Sequence, residues 1–378
     1  MENSNRKTIG IVGGGQLGRM LTMAAHKLGF RVVVLDPTEN SPASQVADEQ
    51  IIGSFKDKDK ILELGKVSDF ITFEIESANS DALEELVASG KVVHPSPQTL
   101  KIIKDKFAQK VFLQNAGVPT AEFAIIDSTE SAHKQAEIFG YPFLLKLRFD
   151  AYDGRGNFVV KDESSIVQAF DKLGAENLYA EKFFPFAKEL AVISARGADG
   201  EIVTYPVVET IHQNNICHIV RSPARVPKSV DASARALAEK VLSALGGVGV
   251  FAIEMFLGND DEVVVNEIAP RVHNSGHHTI EAFTMSQFEA HIRAITGMPL
   301  VAPEATSHHA VMVNILGDRD GEALLHGDYK HTSDDANVHI YGKMSTRNER
   351  KMGHITALGD TEEEAETKAL EARKNINI

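Results

Sequence analysis

The sequence predicts an α/β protein with three successive parts: a parallel sheet covered by helices, a small α+β unit, and a larger unit with an antiparallel sheet. Short apolar runs alternate with helical patterns over residues 7–105, which is typical of β-α-β repetition. Residues 120–190 predict a smaller β-α-β-like unit. After residue 190, the long alternating strands ELAVISARG and EIVTYPVVET, joined by ADG, predict an antiparallel hairpin. We therefore predict domains at 1–105, 106–185 and 186–378.

The N-terminal part contains a glycine-rich loop of the kind that binds phosphates. Gly13, Gly15 and Gly18 satisfy the pattern G-x-G-x-x-G, after an apolar strand pattern and before a helical one. The next apolar run, RVVVLD, ends at Asp36. These features indicate a Rossmann-like sheet whose loop brings a phosphate to a helix N-terminus. The pattern alone is weak evidence for a dinucleotide, because it does not specify which phosphate is bound.

The composition restricts the partners of the protein. Of 378 residues, 43% are hydrophobic and 24% are charged, and the net charge is −14. This acidic balance disfavours nucleic acid and anionic membranes, so an anionic ligand must be held by local basic groups or by a metal. The chain has one cysteine, Cys217, no apolar stretch of 18 residues, and no apolar secretory signal in its first ten residues. We expect a cytoplasmic protein without a membrane span.

A lysine and a glycine turn in the middle part point to a nucleotide triphosphate. Lys146 lies inside the apolar strand pattern FLLKLR, and a buried lysine normally has an anionic partner. The turn DAYDGRGN follows it, and such a turn can present backbone N–H groups to phosphate oxygens. The alternatives are a lysine whose amine reaches solvent from an edge strand and an ordinary hairpin connection.

Two acids on one predicted hairpin suggest a metal site. If Asp260 and Asp261 centre the turn of VFAIEMFLGNDDEVVVNEIAP, Glu254 faces Glu267 across the strand pair. Facing residues have Cβ atoms about 5 Å apart, where like charges are destabilising. A shared divalent cation removes this conflict, and oxygen ligands without cysteine suit Mg²⁺ bound to substrate phosphates. In a slipped register, the two glutamates would never meet.

The C-terminal part adds a basic cluster and a group of histidines. YGKMSTRNERKMGH concentrates lysine and arginine in an acidic protein, which indicates either a phosphate site or a solvated loop. RVHNSGHH places three histidines beside Arg271, but their spacing matches no common zinc site. Contacts to a substrate, or structural hydrogen bonds, are the preferred interpretations.

The order of these motifs resembles one enzyme family. GGGQLGRM, TFEIES, KDKF, LLKLRFDAYDGRGN, YAEKFFPFAKELAV, IEMF, NEIAPRVHNSGH, SQFEAH and YGK…RKMGH resemble the ATP-grasp 5-(carboxyamino)imidazole ribonucleotide synthases of purine biosynthesis over residues 7–357. The resemblance implies an ATP-grasp fold and a ligase that uses ATP and Mg²⁺, for which Mn²⁺ could substitute. It implies carboxylation of the exocyclic amine of aminoimidazole ribonucleotide by bicarbonate through carboxyphosphate. It also implies a homodimer and, in the fungal-type version, a mutase domain after this region.

The resemblance assigns roles on the ATP side of the site. Glu254 and Glu267 would ligate the metal. Lys106 and Lys146 would hold phosphates, Glu181, Lys182 and Phe184 would lie at adenine, and Glu189 would bind the ribose. Three further residues would bind the nucleotide: Gly154 and Gly156 of the lid turn, and Asn266 next to Glu267.

On the other side, the resemblance implies contacts to bicarbonate and to the ribonucleotide. Residues near the reacting groups would be Tyr152, Asp153, Arg155, Arg271, His273 and Asn274. Residues that bind the ribonucleotide would be Gln16, Leu17, Glu74, Lys343, Arg350 and Lys351, with Glu74 at the amine and the last two at the 5′-phosphate. Asp36 would then order the loop that follows it rather than bind a ribose.

The chain departs from the family pattern in two places. Val272 replaces the proline of APRPHNSGH, which frees one backbone torsion between ligand residues. We expect weaker pre-organisation there but intact chemistry. The lid turn has RFDAYDGRG where many bacterial members have GGYDGKG. Arg155 keeps the charge of the lysine, and we expect Asp150 and Ala151 to stiffen the lid.

Three other functions remain as alternatives at this stage. A formate-using glycinamide ribonucleotide transformylase shares the glutamates and lysines but resembles RPHDTG where this chain has RVHNSGH. A nicotinamide oxidoreductase rests only on the glycine loop and Asp36. A catalytically inactive binding module disagrees with the intact Glu254, Glu267, Lys106 and Lys146.

Overall fold

A five-stranded parallel sheet forms the N-terminal part of the computed structural model, which describes residues 6–150, 156–326 and 336–378. The strand order is β3-β2-β1-β4-β5. The strands are β1 (Thr8–Val12), β2 (Arg31–Asp36), β3 (Glu49–Ile52), β4 (Phe70–Phe73) and β5 (Val92–Val93). The helices are α1 (Gln16–Lys27), α2 (Lys58–Val67), α3 (Ser80–Ala88) and α4 (Pro97–Lys104). The predicted parallel β-α-β unit is confirmed.

The next part is a four-stranded sheet with helices packed on it. Helix α5 (Lys106–Asn115) leads into strand β6 (Phe123–Ile126). The other elements are α6 (Thr129–Phe139), β7 (Phe143–Leu147), β8 (Asn157–Val160), α7 (Ser164–Leu173) and β9 (Leu178–Lys182). The order is β6-β9-β7-β8 and every pairing is antiparallel, so the strands lack the parallel pairing typical of a β-α-β unit.

A nine-stranded antiparallel sheet forms the largest part. Its main path is β15-β14-β10-β12-β13-β16-β20-β18, and β11 pairs with β10 beside it. The strands are β10 (Phe186–Arg196), β11 (Ile202–Thr204), β12 (Val208–Gln213), β13 (Ile216–Ser222), β14 (Gly249–Gly258), β15 (Val263–Ala269), β16 (His309–Leu316), β18 (Ala336–Ile340) and β20 (Lys351–Gly359). The short β17 (Gly321–Glu322) and β19 (Ser345–Thr346) pair separately. The helices are α8 (Lys228–Leu245), α9 (Thr279–Ala282), α10 (Gln287–Thr296) and α11 (Glu362–Lys374), with a 3₁₀ turn at Asn274–Gly276.

The sequence pattern EIVTYPVVET, predicted as one strand, is divided into β11 and β12. Pro206 lies at the break and cannot donate a ladder hydrogen bond. Tyr205 is fully buried beside it and donates its hydroxyl to the carbonyl of Met285. The predicted hairpin with β10 is otherwise present, since β10 pairs with both halves.

The N-terminal and large sheets are joined through helix α10. His291 is fully buried, its Nδ1 accepts the N–H of Val250 on β14 at 3.1 Å, and its Nε2 lies 2.8 Å from Thr72 Oγ1 on β4. Because Nδ1 accepts, the proton of the neutral ring is on Nε2 and donates to Thr72. Burial lowers the pKa of His291 to about 3, so the ring stays neutral. One side chain thus fixes β4 relative to β14.

The sheets lie on either side of residues 105 and 185, where we predict domain boundaries. None of the helices in the described part of the chain is both long and apolar enough to cross a bilayer.

We expect His291→Leu to lower the free energy of unfolding by about 1–3 kcal/mol, because it leaves the buried N–H of Val250 and hydroxyl of Thr72 unpaired. Urea unfolding followed by circular dichroism measures this. Met23→Ala, at a half-exposed position on α1, is the control and should change stability by less than about 0.5 kcal/mol. Equal stabilities for the two variants would contradict the joining role of His291.

Candidate functional site

The predicted facing of two glutamates is confirmed. Glu254 on β14 pairs with Glu267 on β15, and their side chains are 24% and 38% exposed. Both carboxylates are therefore half-buried and on one face of the sheet. Such a pair is unfavourable unless a cation lies close to it.

The turn that creates this pair differs from the predicted one. Leu257 pairs with Val263, and the N–H of Gly258 donates to the carbonyl of Glu262. The connection is therefore a three-residue loop centred on Asp260 rather than a two-residue turn on Asp260 and Asp261. Asp261 takes a left-handed conformation with φ of 63°. A register shift between Glu254 and Met255 then adds one residue to β15, which restores the facing of the glutamates. Asn266 is the extra residue in this bulge.

A lysine divides the two carboxylates into unlike groups. Lys106, the first residue of α5, bonds to Glu267 Oε2. Burial opposes the charge on Glu267, but Lys106 outweighs it and lowers the pKa. Burial and the charge of Glu267 raise the pKa of Glu254 to about 7. At neutral pH, Glu267 is thus ionised and Glu254 is only partly ionised. A cation bound beside the pair would favour the ionised form of Glu254.

A second cationic cluster lies on the small sheet. Lys146 is 8% exposed, and its amine donates to Glu181 Oε1 at 2.6 Å, so the predicted anionic partner is present. Lys110 of α5 lies 2.8 Å from Glu181 Oε2. Burial disfavours the charge on Glu181, but the two ammonium groups outweigh it and lower its pKa to about 2. The cluster therefore carries a net positive charge beside the carboxylate pair.

The lysines of α5 and β7 are linked through Asp105. Its carboxylate caps α5 by accepting from the N–H groups of Phe107 and Ala108. It also accepts from Arg148 Nε at 3.0 Å, and Lys106 N–H donates to the carbonyl of Arg148. Of the predicted lid residues, Tyr152, Asp153, Gly154 and Arg155, with Ala151, lie outside the described residues. Gly156 is described and has φ of 86°.

The predicted adenine and ribose residues lie where β9 passes into β10. Phe184 stacks on Phe256 with ring centroids 6.2 Å apart. Glu189 Oε2 lies 3.2 Å from His212 Nδ1. Burial disfavours the charged His212 ring, but Glu189 outweighs this and raises the pKa.

Two neighbouring residues contact other partners. The Lys182 amine bonds to Glu122 at the surface, at 2.5 Å. The Glu181 carboxylate faces the lysine cluster, so only backbone groups of Glu181 and Lys182 remain for adenine in this arrangement.

The glycine loop is occupied by an acid of the protein itself. Glu74 accepts the N–H groups of Gly15 at 2.7 Å and Gly18 at 3.2 Å. A Cβ at Gly13 would lie 2.7 Å from Glu74 Cγ, and one at Gly15 would lie 2.8 Å from Glu74 Oε1. The glycines thus allow Glu74 to approach, and burial raises its pKa.

Asp36 takes the remaining amide of this loop. Its Oδ2 accepts the N–H of Gly14 at 2.8 Å, and its Oδ1 accepts the N–H of Thr38 at 2.8 Å. The interpretation that Asp36 orders the following loop is confirmed. A dinucleotide pyrophosphate would have to displace both acids from this loop, which counts against the oxidoreductase alternative.

Several predicted ribonucleotide residues surround this loop. Gln16 and Leu17 begin α1, directly after the loop. Arg271 Nη2 lies 3.0 Å from Glu76, and His273 Nε2 lies 3.5 Å from Glu254 Oε1. His273 therefore lies at the carboxylate pair, and Arg271 is close enough to the glycine loop for its charge to act on Glu74.

Asn274 is turned toward the interior instead. Its Nδ2 donates to Asn314 Oδ1 at 2.9 Å, and its Oδ1 accepts from Asn314 Nδ2 at 2.7 Å. Asn274 is 8% exposed, so its side chain holds the loop in place in this arrangement. His278 is fully buried, and its Nδ1 lies 3.1 Å from the carbonyl of Ser275, a structural contact.

The basic cluster converges on the same region. Lys343 donates to the carbonyl of Lys351 at 2.6 Å, and Arg350 donates to Ser345. Burial and the positive charge of Arg350 lower the pKa of Lys343 to about 7, against the opposing effect of Glu74. A half-buried amine with a lowered pKa gains a proton when an anion binds beside it.

Sequence reasoning missed two residues of the site. Lys110 lies four residues after Lys106 on α5, a spacing that places both on neighbouring turns. His212 follows a register shift in β12 and gives no sequence signal, because only the fold brings it beside Glu189.

Fold and site together define an ATP-grasp ligase, in which a small lid sheet and a larger sheet enclose a nucleotide. Residues 6–104 match the ribonucleotide synthetase preATP-grasp domain, residues 111–288 the ATP-grasp domain, and residues 310–368 the phosphoribosylaminoimidazole carboxylase C-terminal domain. The chain belongs to the N5-carboxyaminoimidazole ribonucleotide synthase family, as the sequence motifs predict.

The relatives include both long and short proteins. The chain is 46% identical to phosphoribosylaminoimidazole carboxylase of Ogataea methanolica, covering 94% of the chain and 67% of that protein. It is 40% identical to N5-carboxyaminoimidazole ribonucleotide synthase of Bacillus subtilis, covering 94% of the chain and 92% of that protein. The structure of N5-carboxyaminoimidazole synthase from Aspergillus clavatus, in complex with ADP and 5-aminoimidazole ribonucleotide, has a TM-score of 0.88 at 40% identity, over 98% of this chain and 99% of that one.

We expect Lys110→Met to lower the free energy of unfolding at pH 7 by roughly 3 kcal/mol, because it removes one of two cations from buried Glu181. The folded pKa of Glu181, about 2, is below its ordinary value of 4.5. Its stabilising contribution is therefore present above pH 4.5 and is lost as the pH falls toward 2. Hence the difference from the unaltered protein should shrink between pH 5 and pH 3.

Urea unfolding at several pH values measures this difference. Lys182→Met, which breaks the exposed pair with Glu122, is the control and should cost less than about 1 kcal/mol at every pH. A Lys110→Met loss that stays constant down to pH 3 would show that Glu181 is not its partner.

Proposed function

We propose that this chain carboxylates the exocyclic amine of 5-aminoimidazole ribonucleotide with ATP and bicarbonate, giving 5-(carboxyamino)imidazole ribonucleotide, ADP and phosphate. One observation carries the proposal: the Glu254–Glu267 pair touches the lysine of α5 on one side and His273 on the other. A metal–triphosphate site at the glutamates and a second substrate site at His273 would therefore be adjacent, which suits transfer of a phosphoryl group to a small acceptor between them.

The carboxylate pair fits Mg²⁺. Two half-buried carboxylates, of which Glu254 has a pKa of about 7, favour a hard cation that retains water and phosphate ligands. Asn266, in the adjacent bulge, supplies a further oxygen on the same strand. The ion, when bound, would neutralise charge on the transferring phosphoryl group.

The residues around this pair would bind ATP. Lys106 and Lys146 supply positive charge for phosphate oxygens, and Lys110 keeps Glu181 from cancelling it fully. Phe184 offers an aromatic surface for adenine, and Glu189 with His212 offers polar atoms for the ribose hydroxyls. The predicted lid residues 152–156 would exclude water, which the labile carboxyphosphate requires.

The ribonucleotide would bind at the glycine loop. Glu74 would accept a hydrogen bond from the exocyclic amine, and Lys343, Arg350 and Lys351 would hold the 5′-phosphate. When bicarbonate, the acceptor of the phosphoryl group, binds, Arg271 would leave Glu76 and pair with this anion. In the reaction, a bicarbonate oxygen attacks the γ-phosphorus and ADP leaves. The amine nitrogen then bonds to the carboxyl carbon, phosphate leaves, and the amine loses a proton.

The test follows ADP release with bicarbonate and with formate, each with and without its ribonucleotide. ADP release that requires both bicarbonate and aminoimidazole ribonucleotide supports the proposal. A response to formate and glycinamide ribonucleotide instead would assign the transformylase reaction. A nicotinamide absorbance change without ATP would assign the oxidoreductase.

The homodimer, the mutase domain in a longer protein, and a cytoplasmic location extend this proposal. They rest on the family resemblance. Light scattering of the purified chain tests the dimer, since a mass near 41.2 kDa would indicate a monomer.

We expect Glu267→Gln to reduce ATP turnover about a hundredfold or more, because the metal loses its ionised ligand and Lys106 its partner. The free energy of unfolding should change by less than about 1 kcal/mol, since loss of the pairing with Lys106 is offset by relief of the repulsion from Glu254. Glu262→Gln, at an exposed position on the same hairpin, is the control. Normal turnover in Glu267→Gln would remove this residue from the metal site.

We expect binding of the ribonucleotide near pH 7.5 to take up about 0.5–0.75 proton, because the anion raises the pKa of Lys343 from about 7. Calorimetry in two buffers of different ionisation enthalpy measures the uptake. Lys343→Met should bind more weakly and lose this uptake, while any protonation of the phosphate itself remains. The same uptake in both proteins would assign the proton to another group.

A further inference from the structure

The SQFEAH motif contains a buried amide that the proposed function leaves unused. Gln287, the first residue of α10, is fully buried. A buried primary amide must find partners for its oxygen and its nitrogen. Gln287 Oε1 accepts the N–H of His273 at 2.9 Å, and its Nε2 donates to the carbonyl of His273 at 2.7 Å. One side chain thus satisfies both backbone groups of a predicted site residue, as a neighbouring strand would.

Gln287 also contacts the loop of residues 273–276, here called the H-N-S-G loop, and the residues that follow it. Gln287 Nε2 lies 3.2 Å from His277 Nδ1. The backbone N–H of Gln287 donates to Thr279 Oγ1, and that hydroxyl donates to the carbonyl of Gly276. All these polar contacts of Gln287 are made with residues in or next to the loop.

Gly276 is shaped to admit this amide. A Cβ at Gly276 would lie 2.5 Å from Gln287 Oε1 and 2.6 Å from its Cδ. These distances are too short for any side chain, so the glycine of the H-N-S-G loop leaves the space that Gln287 fills. The loop and the helix therefore fit each other as a pair.

The two hydrogen bonds from Gln287 to the backbone of His273, here called the clamp, act next to the position where the family pattern has a proline. Val272 precedes His273 and leaves its own φ unrestricted. His273 is extended, with φ of −133° and ψ of 157°, and its ring nitrogens lie 2.9 Å from Ser275 Oγ and 3.5 Å from Glu254 Oε1. If the backbone of His273 were free to shift, the ring would move away from Glu254. Both backbone hydrogen bonds to Gln287 oppose that shift.

We propose that Gln287 is a positioning residue for the ribonucleotide site, because its amide holds the backbone of His273, and with it the H-N-S-G loop, in the binding arrangement. The inference rests on the proposed function for the identity of the ligand. It replaces the expectation of weaker pre-organisation at Val272 with a loop held from the opposite side.

The protein contains a matched comparison. Gln109 of α5 is 2% exposed and clamps Ile268 in the same way: its Oε1 accepts the N–H at 2.8 Å and its Nε2 donates to the carbonyl at 3.2 Å. Ile268 follows Glu267, so this clamp supports the ATP side. Gln287→Met and Gln109→Met each remove both backbone hydrogen bonds to one residue, in two different halves of the site. Gln109→Met also removes the bond from Nε2 to the carbonyl of Ile103, so it is the more disruptive change and a stringent control.

The experiment measures affinity for ADP with Mg²⁺ and for aminoimidazole ribonucleotide in both variants by calorimetry, with KM and kcat for each substrate. Gln287→Met should weaken ribonucleotide binding about tenfold or more, with ADP affinity within about twofold. Gln109→Met should weaken ADP binding more than it weakens ribonucleotide binding. Gly276→Ala, which must displace the Gln287 amide, should reproduce the Gln287→Met pattern.

Equal losses for both ligands in Gln287→Met, or the same pattern in both variants, would overturn the proposal in favour of general destabilisation. Hydrogen exchange of residues 271–279 gives a readout without ligand: it should quicken in Gln287→Met and stay unchanged in Gln109→Met. If the unaltered protein failed to release ADP in response to the ribonucleotide, the proposed function would fall. Unchanged exchange in Gln287→Met would refute the clamp separately.

Discussion

The site depends on the close approach of two negative charges. The β14–β15 hairpin brings Glu254 and Glu267 face to face in a half-buried position, where water screens their charges only in part. Lys106 stabilises one of them, and the other remains in balance between its charged and neutral forms. A divalent cation and a triphosphate would complete this arrangement, since the lysine could turn to phosphate as the cation takes its place.

The glycine-rich loop shows how one local structure can serve different chemistry. In a dinucleotide enzyme, the amides of such a loop point at a pyrophosphate. Here Glu74 and Asp36 accept those hydrogen bonds, so the loop presents a carboxylate instead of binding an anion. A carboxylate can accept from an amine, which suits a substrate that reacts through nitrogen. The residue that decides this difference, Glu74, lies 59 positions away from the loop in the sequence.

Most of the fold and much of the site could be predicted from the sequence, because local patterns and family motifs carry that information. The parallel sheet, the facing glutamates and the partner of Lys146 are all found. The turn of the hairpin was predicted one residue wrong, since a bulge at Asn266 compensates for a longer loop and leaves no trace in the apolar pattern. Pro206 divides a predicted strand, and its position in the sequence could have predicted this break because proline cannot donate a ladder hydrogen bond.

What could not be predicted are contacts between distant elements. His212 reaches Glu189 only through a shift in β12, and Glu181, expected at adenine, faces two lysines that the fold brings from different elements. The inward turn of Asn274 toward Asn314 depends on the packing of β16 against the loop. The predicted roles of residues 152–155 lie outside the described part of the chain.

Asp105 has a consequence for motion in the molecule. It caps the helix that carries Lys106 and Lys110, and it also holds Arg148, which directly follows the strand that carries Lys146. The same helix is held to the large sheet, since Lys106 bonds to Glu267 and Gln109 bonds to both backbone groups of Ile268. Asp105 and Arg148 therefore form the junction at which the small sheet meets an element fixed to β15. A rotation of the small sheet about this junction would change the distance from Lys146 to the carboxylate pair and leave that of Lys106 almost unchanged.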